Sequence, residues 1–170
     1  WSATITRSNQ EALTEIRFYH MQKTTLEWAL PVLLEKTLER SWRAVVMMRS
    51  KERVDVLNSY LWTYRNDGFL PHGSAEDGNP ASQPVWLTVG DENPNKADVL
   101  FLADGAVTAN VDLFDLCCEL FDDSDAETVN AARGRWNAYL QADHYLTYWQ
   151  QNEHGSWEKK AEANQPEVPD

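Results

Sequence analysis

Cysteine is scarce in this chain: there are two among 170 residues, and they stand side by side as Cys117 and Cys118. Adjacent cysteines inside an apolar run cannot supply the spaced ligands of a zinc site or a disulfide framework. They read as buried small residues in a reducing compartment. Histidine is equally sparse, since His20, His72, His144 and His154 are scattered with no pair at metal-ligand spacing. No apolar run approaches the ~20 residues of a membrane span and no stretch has the layout of a signal peptide, so the expectation is a cytoplasmic protein with no membrane insertion. Basic residues are outnumbered, 15 Lys and Arg against 27 Asp and Glu, for a formal charge of −12. Broad attraction to nucleic-acid phosphates needs clustered cations, so any role near DNA calls for a partner that holds the DNA.

Aromatic residues, in contrast, are plentiful. Eight tryptophans are many for this length; tryptophan is the residue type that most often anchors protein interfaces, and the plainer reading of most of them is core packing. A chain of this length fits one domain that buries roughly 70% of its unfolded surface. Residues 1–13 are polar and aperiodic and are taken as an N-terminal extension; the domain spans 14–161, and residues 162–170 form a polar tail expected to fray.

Glu15 to Met21 (EIRFYHM) alternates Ile16, Phe18 and His20 against Arg17 and Tyr19, the period of a strand. Thr24 with Glu27 forms a capping-box signal before a helix striped by Leu26, Leu30, Leu33, Leu34 and Leu38, in which Pro31 calls for a kink or a later start. The apolar run RAVVMMR, Arg43 to Arg49, suits a parallel strand covered on both faces. Ser50 then caps a helix with Val54, Leu57, Leu61 and Tyr64 on one stripe. Between Arg65 and Gln83 three glycines and two prolines break the pattern, and long loops of this kind are functional or disordered. Strands are expected over PVWLTV (84–89) and DVLFLA (98–103), with LFDLCCELF (113–121) ambiguous and read as a short helix running into a core strand. Asp125 opens a helix to about Ala142, with Val129, Ala132, Trp136 and Tyr139 inward. Two final strands flank NEHG as a polar hairpin with Gly155 at positive φ. The sum is a three-layer α/β/α domain with a mostly parallel, doubly wound, Rossmann-like sheet and a C-terminal hairpin.

Sheets of this class often bind nucleotides through a glycine-rich turn after the first strand. Here that turn reads MQKTT, without glycine, and no phosphate-binding glycine-lysine loop occurs elsewhere. An enzyme using a nucleotide or methyl donor is therefore the weaker rival, and no catalytic residue, metal or cofactor is called for. The Asp122, Asp123, Asp125 cluster precedes a helix start, where carboxylates meet the positive end of the dipole.

Three segments carry a resemblance: RFYHM near the start; Leu61-Trp62 followed by Phe69-Leu70-Pro71-His72; and ARGRWNAY over Ala132 to Tyr139. From about Thr14 to Lys160 the chain resembles the chi subunit of bacterial DNA polymerase III. The resemblance implies a non-catalytic accessory subunit of the clamp-loader complex, binding the psi subunit on one side and the C-terminal tail of single-stranded-DNA-binding protein on the other. It places the tail pocket at Arg133 and Trp136, one helical turn apart, with Phe121 as an apolar pocket residue. Two lysines of the family are Val129 and Asn137 here, which leaves Arg135 as a further source of charge. The partner patch corresponds to Trp62, Phe69, Leu70, Pro71 and His72, and serves psi or, in an alternative adaptor role, a repair helicase. An arginine can grip a terminal carboxylate with a two-pronged charge-assisted bond while an aromatic wall receives an apolar side chain. Against this stands the simpler reading of Trp136 as core and Arg133 as a solvated side chain.

With this charge balance the isolated protein is expected not to bind single-stranded DNA directly, because electrostatic attraction supplies nearly all non-specific affinity. Fluorescence anisotropy with a labelled oligonucleotide checks this; micromolar binding at physiological ionic strength would contradict it.

Overall fold

A computed structural model describes residues 14–22, 24–63 and 70–165. Its elements follow in the order β1 (Glu15–Met21), α1 (Leu26–Glu39), β2 (Ala44–Met47), α2 (Lys51–Thr63), β3 (Val85–Thr88), β4 (Val99–Leu102), β5 (Leu116–Asp122), α3 (Ala126–Gln141), β6 (Tyr145–Gln151) and β7 (Trp157–Ala163). The strands form one seven-stranded sheet ordered β3-β2-β4-β5-β1-β6-β7. β1 to β6 are parallel, and β7 alone runs antiparallel, on β6.

Strand side chains alternate between two faces, and here both faces are covered. Ala44 and Val46 of β2, Val99 and Phe101 of β4, and Tyr19 and Met21 of β1 pack under α1 and α2, against Leu30, Leu34, Leu57 and Leu61. The intervening Val45, Met47, Leu100, Leu102, Ile16 and Phe18 form a second cluster beneath Ala132, Trp136 and Tyr139 of α3. Three layers therefore arise from continuous apolar runs that would otherwise expose one face to water.

Ser50 accepts a hydrogen bond from the Arg53 N–H at 3.2 Å, and Asp125 accepts one from the Thr128 N–H at 2.7 Å, so the second and third helices begin where their capping residues predict. The first does not. Its N-cap is Thr25, without a side-chain cap bond, because both partners of the expected box are engaged elsewhere. The Thr24 hydroxyl accepts from the Gln151 side-chain amide at 2.7 Å, and Glu27 accepts from Arg53 at 3.3 Å. α1 starts one residue later than the expected cap and continues through Pro31 as one element. The helix expected before the fifth strand is reduced to a 3-10 turn, Val111–Leu113. From Leu116 to Phe121 every side chain is buried, and only an extended strand in the middle of the sheet buries six successive residues in this way.

Thr14, at the start of β1, is tied in on both sides. Its hydroxyl donates to the carbonyls of Val111 and Phe114 at 3.0 and 2.9 Å, and its N–H donates to His144 Nδ1 at 3.0 Å. The last hairpin is part of the sheet and no appendage: β6 pairs with β1, and the turn to β7 places Gly155 at φ 80°. β7 runs to Ala163, two residues past the expected end of the domain. Within the long connection after α2, Gly73 bridges to β3 beside Trp86. A Cβ there would meet the end of the Gln83 side chain at 2.5 Å, so a larger residue would have to displace that amide.

Among the described residues no helix is long and apolar enough to cross a membrane, and no group of three His, Cys, Asp or Glu side chains could hold a metal ion. Cys117 and Cys118 are fully buried, and burial holds both thiols above their usual range, Cys118 at about 12.

Candidate peptide-binding site

β5 ends at Asp122 and α3 starts four residues later. That short connection sets the outer edge of α3 beside the ends of β1, β5 and β6. An open cleft of about 610 Å³ lies there. Phe121, Val129, Arg133, Trp136 and Asn137, five of the residues expected at a tail site, line it together.

Trp136 serves two purposes. One edge packs on Phe18 with ring centroids 5.3 Å apart and on Tyr148 at 6.5 Å, both edge-on, while the residue remains half-buried at the cleft wall. It is core and pocket at once. Arg133 is exposed at the rim, and among the described residues it is the one Lys or Arg lining the cleft.

Arg135 lies elsewhere. Its Nε donates to both carboxylate oxygens of Glu119 at 2.8 Å, and the two side chains are 17% and 2% exposed. Residues two apart on a helix do not share a face. At ~100° per residue Arg133 and Arg135 point about 160° apart, so the latter cannot add charge to the cleft. Burial holds the Glu119 carboxyl above the usual carboxylate range, although Arg135 opposes the shift.

The cleft also contains residues that sequence reasoning did not find there. His20 stacks on Phe121 with centroids 4.7 Å apart and planes 19° from parallel, and its Nδ1 lies 2.6 Å from the Tyr148 hydroxyl. Its Nε2 is buried without a hydrogen-bond partner, 3.7 Å from Asp123 Oδ2. Burial lowers the affinity of this ring for a proton, against the pull of Asp123 and Asp122. Gln150 completes the same wall and donates to the Tyr148 hydroxyl at 2.9 Å. His20 is in register with both Phe121 and Gln150. Only the pairing of β1 between β5 and β6 brings these residues together, and that pairing has no local signal.

The expected partner patch divides. Trp62 is 52% exposed and lies 5.0 Å from the His72 ring. Leu70 and His72 are buried, Pro71 is partly buried, and the ring nitrogens of His72 lie 2.6 Å from the Leu70 carbonyl and 3.3 Å from that of Asn58. Phe69 lies outside the described residues.

The fold and cleft together define a doubly wound α/β domain with an arginine-and-aromatic groove along its last helix. The chain belongs to the DNA polymerase III chi subunit family: the model described as "DNA polymerase III chi subunit, HolC" matches residues 13–147. It is also similar to the "Probable DNA polymerase III subunit chi" of Rickettsia prowazekii (strain Madrid E), with 33% identity over 94 residues. That alignment covers 55% of this chain and 57% of the relative, so it spans little more than half of either protein.

The pair that helps to seat α3 can be tested directly. Leaving the Glu119 charge buried and unpaired is expected to cost about 3–5 kcal/mol in Arg135→Met. A carboxyl whose folded pKa is raised contributes stability below its unfolded pKa and loses it as pH rises through the folded value. Without Arg135 that pKa rises further, so urea denaturation should show a larger deficit at about pH 8 than at about pH 5. Glu119→Leu combined with Arg135→Met should recover most of it. Equal deficits at the two pH values would show that the pair does not govern stability.

Proposed function

We propose that this protein links the DNA polymerase III clamp-loader complex to single-stranded-DNA-binding protein by holding the acidic C-terminal tail of that protein in the α3 cleft. Membership of the chi subunit family supports an accessory role in replication. The finer reading is carried by one observation, the convergence of Arg133, Trp136 and Phe121 on a single cleft. An exposed guanidinium at the rim offers two parallel donors to a terminal carboxylate. Behind it, Phe121, Val129 and the face of Trp136 offer an apolar wall for the side chain next to that carboxylate. The protein acts in this reading as a cytoplasmic adaptor without chemistry or cofactor of its own, and DNA contact belongs to its partner. A second surface around Trp62, about half of which is exposed, is assigned to the psi subunit, since tryptophan is the kind of residue that anchors partners.

Val129 and Asn137 define how this cleft differs from one with more cations. With Arg133 as the principal charge, affinity for the tail rests on that residue. Arg133→Ala is expected to weaken binding of a free-acid peptide copying the acidic, Phe-terminated tail by about tenfold or more, since charge-assisted bonds contribute about 1.5–3 kcal/mol. Asn137→Lys should strengthen it, with the gain lost at high salt. Titration calorimetry measures both. Unchanged affinity in Arg133→Ala, with the fold intact by circular dichroism, would remove the tail from this cleft.

A further inference from the structure

On the opposite face of the sheet, α1 and the β6–β7 hairpin enclose a second open groove of about 560 Å³. Trp28, Val32, Lys36 and Arg40 follow one another at four-residue spacing and so form one ridge of α1. All four line the groove and are exposed, Trp28 at 52% and Val32 at 37%. The facing wall is Trp149 and Trp157, half-buried, with the turn residues Gly155 and Ser156. Trp42 closes one end under the Arg40 guanidinium, 5.2 Å above its ring. The floor is apolar, with Phe101 and Cys118 beside Tyr19, whose ring meets Trp157 at 4.9 Å edge-on.

The charge of this groove is opposite to that of the protein. The chain carries −12 overall, yet Lys36 and Arg40 line the groove beside Arg17, itself paired with Glu15 at 2.6 Å, and no carboxylate lines it among the described residues. The crevice at the ends of the parallel strands is quite different: Arg49, Arg53 and Arg135 there are set among Asp104, Glu119, Asp122, Asp125 and Glu127. Favourable contact with the helix dipole accounts for cations near the last turn of α1. It does not account for the exposed Trp28 and Val32 that continue the same ridge, nor for the indoles opposite. The family match ends at residue 147, so the wall of Trp149, Gly155, Ser156 and Trp157 is built by residues beyond the matched stretch.

We propose that this groove is a second docking site, for an acidic segment of another protein that carries apolar or aromatic side chains between its carboxylates. Carboxylates would meet Lys36 and Arg40 along the ridge, and the intervening apolar side chains would enter between Trp28 and the Trp149–Trp157 wall. Complementary charge selects the partner and the indoles supply the contact area. A single-stranded nucleic acid could also use cations and stacking surfaces, but its dense, continuous charge faces the repulsion of the whole protein.

The site is independent of the α3 cleft, and the probe separates them. A fluorescein-labelled peptide of alternating Asp-Asp and Leu-Phe pairs, amidated at its C-terminus, lacks the free carboxylate that Arg133 would hold. Anisotropy should show saturable binding of this peptide to the full chain, weakened at least about tenfold in Lys36→Glu, Arg40→Glu and in Trp28→Ser, and unchanged in Arg133→Ala. Trp28 is exposed, so the melting temperature of Trp28→Ser should stay near wild type, and circular dichroism should show the charge-reversed variant still folded although it gives up the favourable dipole contact of its two cations. The proposal is overturned if the peptide does not bind, if the charge-reversed variant binds it equally well, if Arg133→Ala abolishes binding, if an analogue with Asn for Asp binds as tightly, or if oligothymidylate binds in its place.

Discussion

Glu119 lies in the middle of a parallel sheet, on the face covered by α3, where its carboxylate is out of reach of water. An ionised group in such a place must be paired or become neutral, and Arg135 meets it with Nε 2.8 Å from each oxygen. That contact joins the packing of Ala132, Trp136 and Tyr139 in seating α3 on the sheet. With Arg135 at one border of the buried stripe and Ala132 at its centre, the helical period carries Val129, Trp136, Arg133 and Asn137 in turn around the other border. An ion pair that helps to seat α3 thus contributes no charge to the cleft. A hydrophobic pair could hold the helix equally tightly.

The other half of the cleft depends on the sheet. β1 lies between β5 and β6, and this register stacks His20 on Phe121 while Tyr148 reaches His20 from the neighbouring strand. Phe18 lies beneath Trp136 two residues earlier on the same face. Aromatic packing thus continues from the core to the rim without a break, and the outermost ring is held rigidly by rings within. A preformed wall of this kind loses little side-chain freedom on binding, so more of the contact energy is available for affinity.

Much of this was legible in the sequence, and the reasons differ by element. β1 and β2 were readable because their composition and period leave no alternative, and α2 and α3 because Ser50 and Asp125 cap them in the expected way. The start of α1 was misplaced because the hydroxyl of Thr24 and the carboxylate of Glu27 serve tertiary contacts that no local pattern reveals. β6 reads as polar, yet Thr147 and Gln151 are buried, the first accepting from the Trp149 indole within the strand and the second bonded to Gln22 and Thr24 in the connection after β1. In the cleft, Arg133, Trp136, Val129 and Asn137 came from the family resemblance, and their three- and four-residue spacing accounts for their sharing one side of the helix. The separation of Arg135 from them was also available, since positions two apart on a helix diverge. His20, Tyr148 and Gln150 were out of reach, because strand pairing across more than 120 positions places them there.

The central claim is that the face of α3 turned toward the cleft is the surface that receives an acidic, Phe-terminated tail. Nuclear magnetic resonance of the nitrogen-labelled protein, titrated with the free-acid tail peptide, tests this residue by residue. The predicted result is a progressive shift of the Trp136 indole N–H and of the backbone amides of Phe121 and of Val129 to Asn137, with the indole signals of Trp28, Trp149 and Trp157 unmoved. Shifts that bypass Trp136 and centre on another surface would contradict the account.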